Sequence, residues 1–219
     1  MIKVLPSSNP EKEENLLDYA RQLELLGVEY LHCDMMDGTF VESRCLDYET
    51  LKQVRNNCNI LLDVHLMVSN VKNEVEMVSL LKPNIITVHF EAVRNITELK
   101  KIANFVRSKD ILFGISIKPN TPVSVLFDVK DLIDLVLIMS VEPGKSGQKF
   151  ISNSIQKIKD AKCLFENTNT IIEVDGGINL ENYRGVIDAG AKFLVMGSAF
   201  YNSKDKAQLL CTIDKHYKK

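Results

Sequence analysis

The sequence predicts an α/β fold: an eight-stranded parallel (β/α)8 TIM barrel, with residues 1–219 forming a single domain. Three observations point there. Short runs rich in Val, Ile and Leu alternate with longer amphipathic stretches along the whole chain, the pattern of a parallel sheet covered by helices. The apolar runs are similar in length and spacing and show no switch point, which favours a closed barrel over an open doubly wound sheet. A chain of 219 residues suits one such barrel and would be cramped as two domains.

In order, the strand candidates are IKVLP (2–6), YLHCDM (30–35), ILLDVHLMV (60–68), IITVHF (85–90), ILFGISI (111–117), LVLIMSV (135–141), TIIEVDG (170–176) and FLVMGS (193–198). Each is followed by a helical pattern. After the first strand, Leu16, Leu17, Ala20, Leu23 and Leu26 recur at helical spacing, and Gly27 stands where a helix C-terminal glycine belongs. Near the other end Asn179 is placed to cap a helix running through Ile187, and Gly190 to end it before the eighth strand. No linker or low-complexity segment interrupts the series.

Composition narrows the function classes. With 45% apolar and 26% charged residues the chain is an ordinary globular protein. Its formal charge is −2 and its Lys and Arg residues are scattered, so nucleic acid is not an expected partner. Cys33, Cys45, Cys58, Cys163 and Cys211 form no C-x-x-C pair, which argues against a disulfide framework or a thiolate zinc cage and for a reducing compartment. No run of some eighteen apolar residues occurs, so no membrane association is expected and the location should be cytoplasmic.

The chemistry is carried by polar residues inside otherwise apolar strands. Strand side chains alternate in direction, so His32, Asp34 and Met36 share one face, as do Asp63, His65 and Met67, and as do Glu173 and Asp175. The opposite faces are apolar and suit packing against helices. Ionisable groups inside a barrel are unfavourable unless paired or holding a metal, and these lie near C-terminal strand ends, where barrel active sites sit. His32, Asp34, His65 and Asp175, from strands two, three and seven, are therefore candidate ligands for one divalent ion. Their mixed nitrogen and oxygen set suits Zn, Fe(II), Mn(II) or Co(II). Any one of them alone reads equally well as a satisfied interior polar residue; it is the agreement of three strand ends that argues for a site. Asp63 and Glu173, one inward step below His65 and Asp175, are placed to orient a ligating imidazole. Gly176 and Gly177 after strand seven, and Gly197 and Ser198 after strand eight, form the turns that barrels use to bind phosphate. The loop VEPGKSGQKF (141–150), with Gly144 and Gly147, is suited to closing over a substrate.

At this point the chain resembles the ribulose-phosphate 3-epimerase family over nearly its whole length. The similar segments are PS at 6–7, HCDMMDGTFV at 32–41, LDVHLMV at 62–68, HFEA at 89–92, KPNTP at 118–122, MSVEPG and GQKF within 139–150, VDGGI at 174–178 and GSAF at 197–200. The resemblance implies a ribulose-phosphate-binding type of barrel with His32, Asp34, His65 and Asp175 as metal ligands. It further implies Asp34 and Asp175 as the acid/base pair, Ser7 and His65 in contact with a small sugar phosphate, Met36, Met67 and Met139 lining the pocket, and self-association into a homo-oligomer. The reaction implied is interconversion of D-ribulose 5-phosphate and D-xylulose 5-phosphate in the pentose-phosphate pathway. Inverting C3 requires a carboxylate on each face, with a metal stabilising the enediolate between the two proton transfers. Thioethers can touch that intermediate without competing as acids. The alternatives are a D-allulose-6-phosphate 3-epimerase, a catalytically silent sugar-phosphate-binding barrel, and metal-assisted hydrolysis.

Two segments depart from the family pattern. Glu42, Ser43, Arg44 and Cys45 replace an expected Pro-Asn segment, and Gly144, Lys145, Ser146 and Gly147 replace Gly-Phe-Gly-Gly, losing an aromatic and placing a cation where it can reach a phosphate. His89 and Glu91 share the inward direction at strand four as candidate pocket lining, and His216, in a basic C-terminal helix, is expected at the surface.

Overall fold

The computed structural model describes residues 2–10, 12 and 15–217, with the side chains of 216–219 outside the description; the expectation for His216 therefore lies outside the described residues. All eight expected strands form: β1 (Lys3–Pro6), β2 (Tyr30–Asp37), β4 (Leu61–Met67), β5 (Ile85–His89), β6 (Leu112–Ile117), β7 (Leu135–Met139), β8 (Ile171–Asp175) and β9 (Phe193–Met196). They pair in parallel in the order β1, β9, β8, β7, β6, β5, β4, β2. The ring closes where Ser7, just past β1, bridges His32 of β2 in parallel, and the Ser8 N–H donates to the His32 carbonyl at 2.8 Å. Closure thus occurs beside two of the predicted site residues.

The alternation of the strands divides the apolar residues into two cores. Outward side chains such as Leu31, Cys33, Leu62, Val64, Ile86, Val88, Phe113 and Val174 pack against the helices. Inward ones, Leu5, Ile85, Leu135, Leu137, Met139, Phe193 and Val195, fill the barrel. At about 25 cal/mol for each Å² of apolar surface removed from water, the outer layer dominates the stabilisation, which leaves the interior free to hold polar groups. His32, Asp34, Asp63, His65, Thr87, His89, Ser116 and Glu173 are all buried there.

The helices follow local signals. In α1 (Leu16–Leu25) the buried stripe is Leu16, Tyr19, Ala20 and Leu23; of the residues expected in it, Leu17 is half-buried and Leu26 lies past the helix end and is exposed. Gly27 has φ +74°, and the Val28 N–H reaches back to the Leu23 carbonyl at 3.0 Å, the closure that a left-handed residue after a helix permits. Asp47 caps α2 (Tyr48–Asn57) by accepting from the Thr50 N–H at 2.8 Å. α3 (Val71–Ser79) follows β4. Asn95 caps α4 (Ile96–Arg107) by accepting from the Glu98 N–H at 3.0 Å, while the Glu98 carboxylate accepts from the Arg94 N–H.

Three further details differ from expectation. Arg44 and Cys45 form a short antiparallel strand, β3 (Arg44–Cys45), against Asp37 and Met36, in the segment where the chain departs from the family pattern. The connection after β6 is a 3₁₀ helix, Val123–Leu132, instead of an α-helix; Pro122 immediately before it lacks an N–H. α5 (Ser154–Leu164) precedes β8. Asn179 does not cap the next helix, because its side chain accepts from the Glu181 N–H at 2.8 Å in a preceding turn. The helix, α6 (Tyr183–Ala189), starts after Asn182 and ends at Gly190 as expected. After β9 come α7 (Ser198–Tyr201) and α8 (Lys206–Tyr217). Among the described residues no helix is long and apolar enough to cross a membrane, and all five cysteines are free thiols.

Candidate metal centre and active site

At the C-terminal ends of β2, β4 and β8, one ligand atom from each of His32, Asp34, His65 and Asp175 lies within 4.8 Å of the others. Alternation puts these side chains inside, and barrel closure brings together strands distant in sequence. His32 is oriented on one side by Asp63, whose Oδ2 lies 2.5 Å from Nδ1, and its Nε2 points at Asp34 Oδ1, 3.3 Å away, without a hydrogen bond. A fully buried ring nitrogen left in that state is unfavourable unless a further group accepts its lone pair. His65 Nδ1 lies 3.2 Å from the same Asp34 oxygen. Ser7 donates to the other Asp34 oxygen, Oδ2, at 2.7 Å, and the Ser7 hydroxyl itself accepts from the Asn9 N–H. Two imidazole nitrogens and two carboxylates converging in this way fit a divalent cation.

The electrostatics separate the two aspartates. Burial opposes ionisation of Asp34, but the neighbouring His32 and His65 rings outweigh it and hold its carboxyl well below the usual carboxylate range. Asp175 is pushed up to about 7, first by burial and then by the charge of Asp34. One carboxyl is thus ionised and the other holds a proton up to neutral pH, an arrangement suited to paired acid and base roles. Burial works against a charge on His32, but Asp63 and Asp34 together raise its pKa well above the ordinary value. Burial lowers that of His65, and lowers that of His89 to about 4. Burial and then Asp63 raise Glu173 well above the usual range.

The predicted substrate-binding residues share one cleft above this cluster. Ser7, Met36, Met67, Met139, Gly144, Gly147, Gly176, Gly177, Gly197 and Ser198 line it together with Asp34 and Asp175. His65 lies just beneath, fully buried. Asn9, Val141 and Glu142 also line the cleft; Val141 and Glu142 belong to the recognised loop 141–150, while Asn9 carried no sequence signal beyond its nearness to Ser7. Lys145 stands exposed on its lip. Wider surface hollows of about 580 Å³ beside α3 and α4 and about 640 Å³ beside α5 contain neither of the metal-competent clusters found among the described residues.

Gly177 shows why a glycine is required in this rim. Its φ is +65°, and a Cβ there would meet the Phe150 nitrogen at 2.4 Å and the Gln148 carbonyl oxygen at 2.9 Å. The turn after β8 therefore lies directly against the backbone of the 141–150 loop. Gly177→Ala is expected to lower unfolding free energy by roughly 1–3 kcal/mol, read from urea melts, because the opposing atoms are backbone and cannot swing aside.

Asp63 orients a ligating imidazole as expected, and the imidazole is that of His32, because the parallel register sets His32 opposite Asp63. One expectation shifts. His89 and Glu91 do not line the cleft; His89 Nε2 meets His65 Nε2 at 2.9 Å, and Glu91 Oε2 lies 3.3 Å from His89 Nδ1.

Comparison with known proteins agrees with this geometry. Residues 3–201 match the model of the ribulose-phosphate 3 epimerase family. The chain is 36% identical over 211 residues to the chloroplastic ribulose-5-phosphate-3-epimerase of Arabidopsis thaliana, covering 95% of this chain and 75% of that one. It is 35% identical over 216 residues to the ribulose-phosphate 3-epimerase of Bacillus subtilis, covering 97% and 98%. Among solved structures, a 3-hexulose-6-phosphate synthase aligns with a TM-score of 0.74 at 14% identity, over 98% of this chain and 99% of that one, a likeness of fold alone. The barrel, the four converging metal-competent residues and these matches together establish that the chain belongs to the ribulose-phosphate 3-epimerase family.

Proposed function

We propose that the protein is a metal-dependent epimerase interconverting D-ribulose 5-phosphate and D-xylulose 5-phosphate by proton transfer at C3, in a cytoplasmic setting that fits its free thiols. The observation that carries this reading is the pairing of Asp34 and Asp175 in one metal-competent cluster, with Asp34 held ionised and Asp175 titrating near neutrality. A homo-oligomeric state belongs to the same proposal and is supported by family membership.

Inversion at a carbon requires a proton to leave one face and another to arrive on the opposite face. Asp34 comes from β2 and Asp175 from β8, three strands apart around the closed ring. Asp34, as a carboxylate, takes the C3 proton, and Asp175 returns one from the other side, each using the oxygen that is not needed to hold the ion. The pair then holds its proton on Asp34, ready for the reverse reaction or for exchange with solvent. Ser7 holds the orientation of Asp34 throughout by donating to Oδ2. Met36, Met67 and Met139 give the intermediate a polarizable wall without exchangeable protons. Gly176, Gly177, Gly197 and Ser198 are the proposed phosphate cradle, with the loop carrying Gly144 and Gly147 above it. A divalent ion held by His32, Asp34, His65 and Asp175 would supply positive charge beside the C2 oxygen and so acidify the neighbouring C–H.

The test is coupled turnover of D-ribulose 5-phosphate and D-allulose 6-phosphate by metal-loaded and chelated protein. Dominant pentulose turnover lost on chelation is the expected result; preference for the hexulose phosphate, release of inorganic phosphate, or no turnover of either sugar would overturn it.

Metal affinity should also depend on pH in one direction. Asp175 holds a cation far more strongly as a carboxylate than as the neutral acid, and its pKa is raised to about 7. Below that value the ionised fraction falls by a factor of about ten for each pH unit, so apparent affinity should fall at least about tenfold per unit below pH 7; His32, whose pKa is also raised, must shed its proton too, so the rise continues above pH 7. Chelator-competition titrations from pH 5.5 to 8.5 read this directly.

A further inference from the structure

We propose that Glu91 and His89 form a hydrogen-bond relay that sets the tautomer of His65 and directs its Nδ1 lone pair at the metal centre, making both positioning residues for the ion. The inference rests on the metal-centre reading and deepens it.

The relay can be followed proton by proton. Glu91 Oε1 accepts from the Lys118 N–H at 2.8 Å and from the Thr121 hydroxyl, which anchors the carboxylate to the loop after β6. Its Oε2 faces His89 Nδ1 at 3.3 Å. An ionised carboxylate only accepts, so the hydrogen in that gap belongs to His89 Nδ1. The His89 ring is buried and tilted against Phe40, with centroids 4.7 Å apart, and in this orientation both of its nitrogens face polar partners, which a flip of the ring would replace with C–H groups. In the neutral ring Nε2 is then an acceptor. Facing it at 2.9 Å is His65 Nε2, which must therefore be the donor.

His65 consequently presents a bare lone pair at Nδ1, 3.2 Å from Asp34 Oδ1. Two acceptors facing one another repel unless a cation lies between their lone pairs. The opposite ordering would put a hydrogen between His65 and Asp34, but it would leave the His89 Nδ1 lone pair against the Glu91 carboxylate. Glu91 thus decides at the far end of the chain which ordering holds. The arrangement parallels that at His32, where Asp63 meets Nδ1 directly; at His65 the carboxylate acts through one intervening imidazole.

The experiment uses Zn²⁺ alone as probe. Chelator-competition titrations of wild type, Glu91→Gln and Thr121→Val are combined with ¹⁵N spectra of the imidazoles in the zinc-loaded protein. Glu91→Gln keeps the shape of the side chain but can donate as well as accept, so the directional bias is lost. Zinc affinity is expected to fall by about 10–100-fold in Glu91→Gln and by less in Thr121→Val, which removes one of the donors to Oε1. Wild-type spectra are expected to place the hydrogen on Nε2 of His65 and on Nδ1 of His89. Wild-type affinity in Glu91→Gln, or a hydrogen on Nε2 of His89 in the wild type, would overturn the relay alone. The wild-type spectrum decides the matter even where Glu91→Gln does not fold. Failure of the wild type to bind Zn²⁺ would instead overturn the metal-centre reading.

Discussion

Asp175→Asn is expected to reduce kcat/KM for the pentulose phosphate by at least ~10³-fold while leaving the barrel folded. Loss of a general acid or base alone is worth about 10²–10⁴-fold, and Asp175 is also one of the four proposed ligands. It is only partly buried at the end of β8, and the asparagine keeps its volume, so little stability should be lost. Removing it should in fact ease one interaction, because its ionised form is disfavoured by burial and by the charge of Asp34. The sign follows from linkage. A carboxyl with a raised folded pKa lowers stability as pH rises from its unfolded value through about 7, and Asp175→Asn should remove that contribution. Steady-state turnover together with urea melts at pH 5 and pH 8 would check both halves. A variant that keeps a tenth or more of the activity would remove Asp175 from the chemistry.

The largest expected effect on stability is that of Asp63→Ala. His32 and Asp63 are both fully buried, 2.5 Å apart, with no solvent to screen either. Removing one member of such a pair costs roughly 3–5 kcal/mol, because the remaining group is left without its partner in a low-dielectric interior. The neighbouring Glu173, itself pushed toward its protonated form by burial and by Asp63, would be relieved in part, which places the expected loss at the lower end of that range. The pH dependence has a definite direction. A His whose folded pKa is raised contributes stability fully below its unfolded pKa of 6.5, and loses it as pH rises through the higher folded value. Asp63→Ala should therefore be most damaging at and below neutral pH and approach wild type on the alkaline side. Metal affinity should fall with it, since His32 loses the partner that aims its Nε2. Denaturant melts across pH, compared with Asp63→Asn, would test this; equal losses at pH 6 and pH 10 would contradict it.

Both predictions concern side chains whose inward direction is legible in the amino-acid sequence. Period-two alternation within single strands is enough to place His32, Asp34, His65 and Asp175 on the inner face, because a side chain's direction along a strand is a local property of the backbone. The alternation of apolar strands with amphipathic helices is likewise enough for a parallel sheet covered on both faces, and the similar spacing of the strands, with no switch point, favours closing it into a barrel over an open doubly wound sheet. Local capping chemistry is less legible. Asn179 has the right residue type for a helix cap, yet it bonds within its own turn, because an Asn side chain finds a nearer N–H as readily as a helical one.

What only the tertiary structure decided is which inward side chains meet. His32 lies opposite Asp63 because β2 and β4 pair in that register, and His65 meets His89 across the next pair of strands. Register between parallel strands is set by ring closure and by the packing of the helices outside, with the strands joined through long crossovers, so nothing in the sequence near His65 marks Glu91 as its distant partner. The sequence by itself determined the face each site residue occupies and the fold that unites them. The partners that orient them, and the opposed protonation of Asp34 and Asp175, arise from burial and proximity that exist only once the barrel has closed.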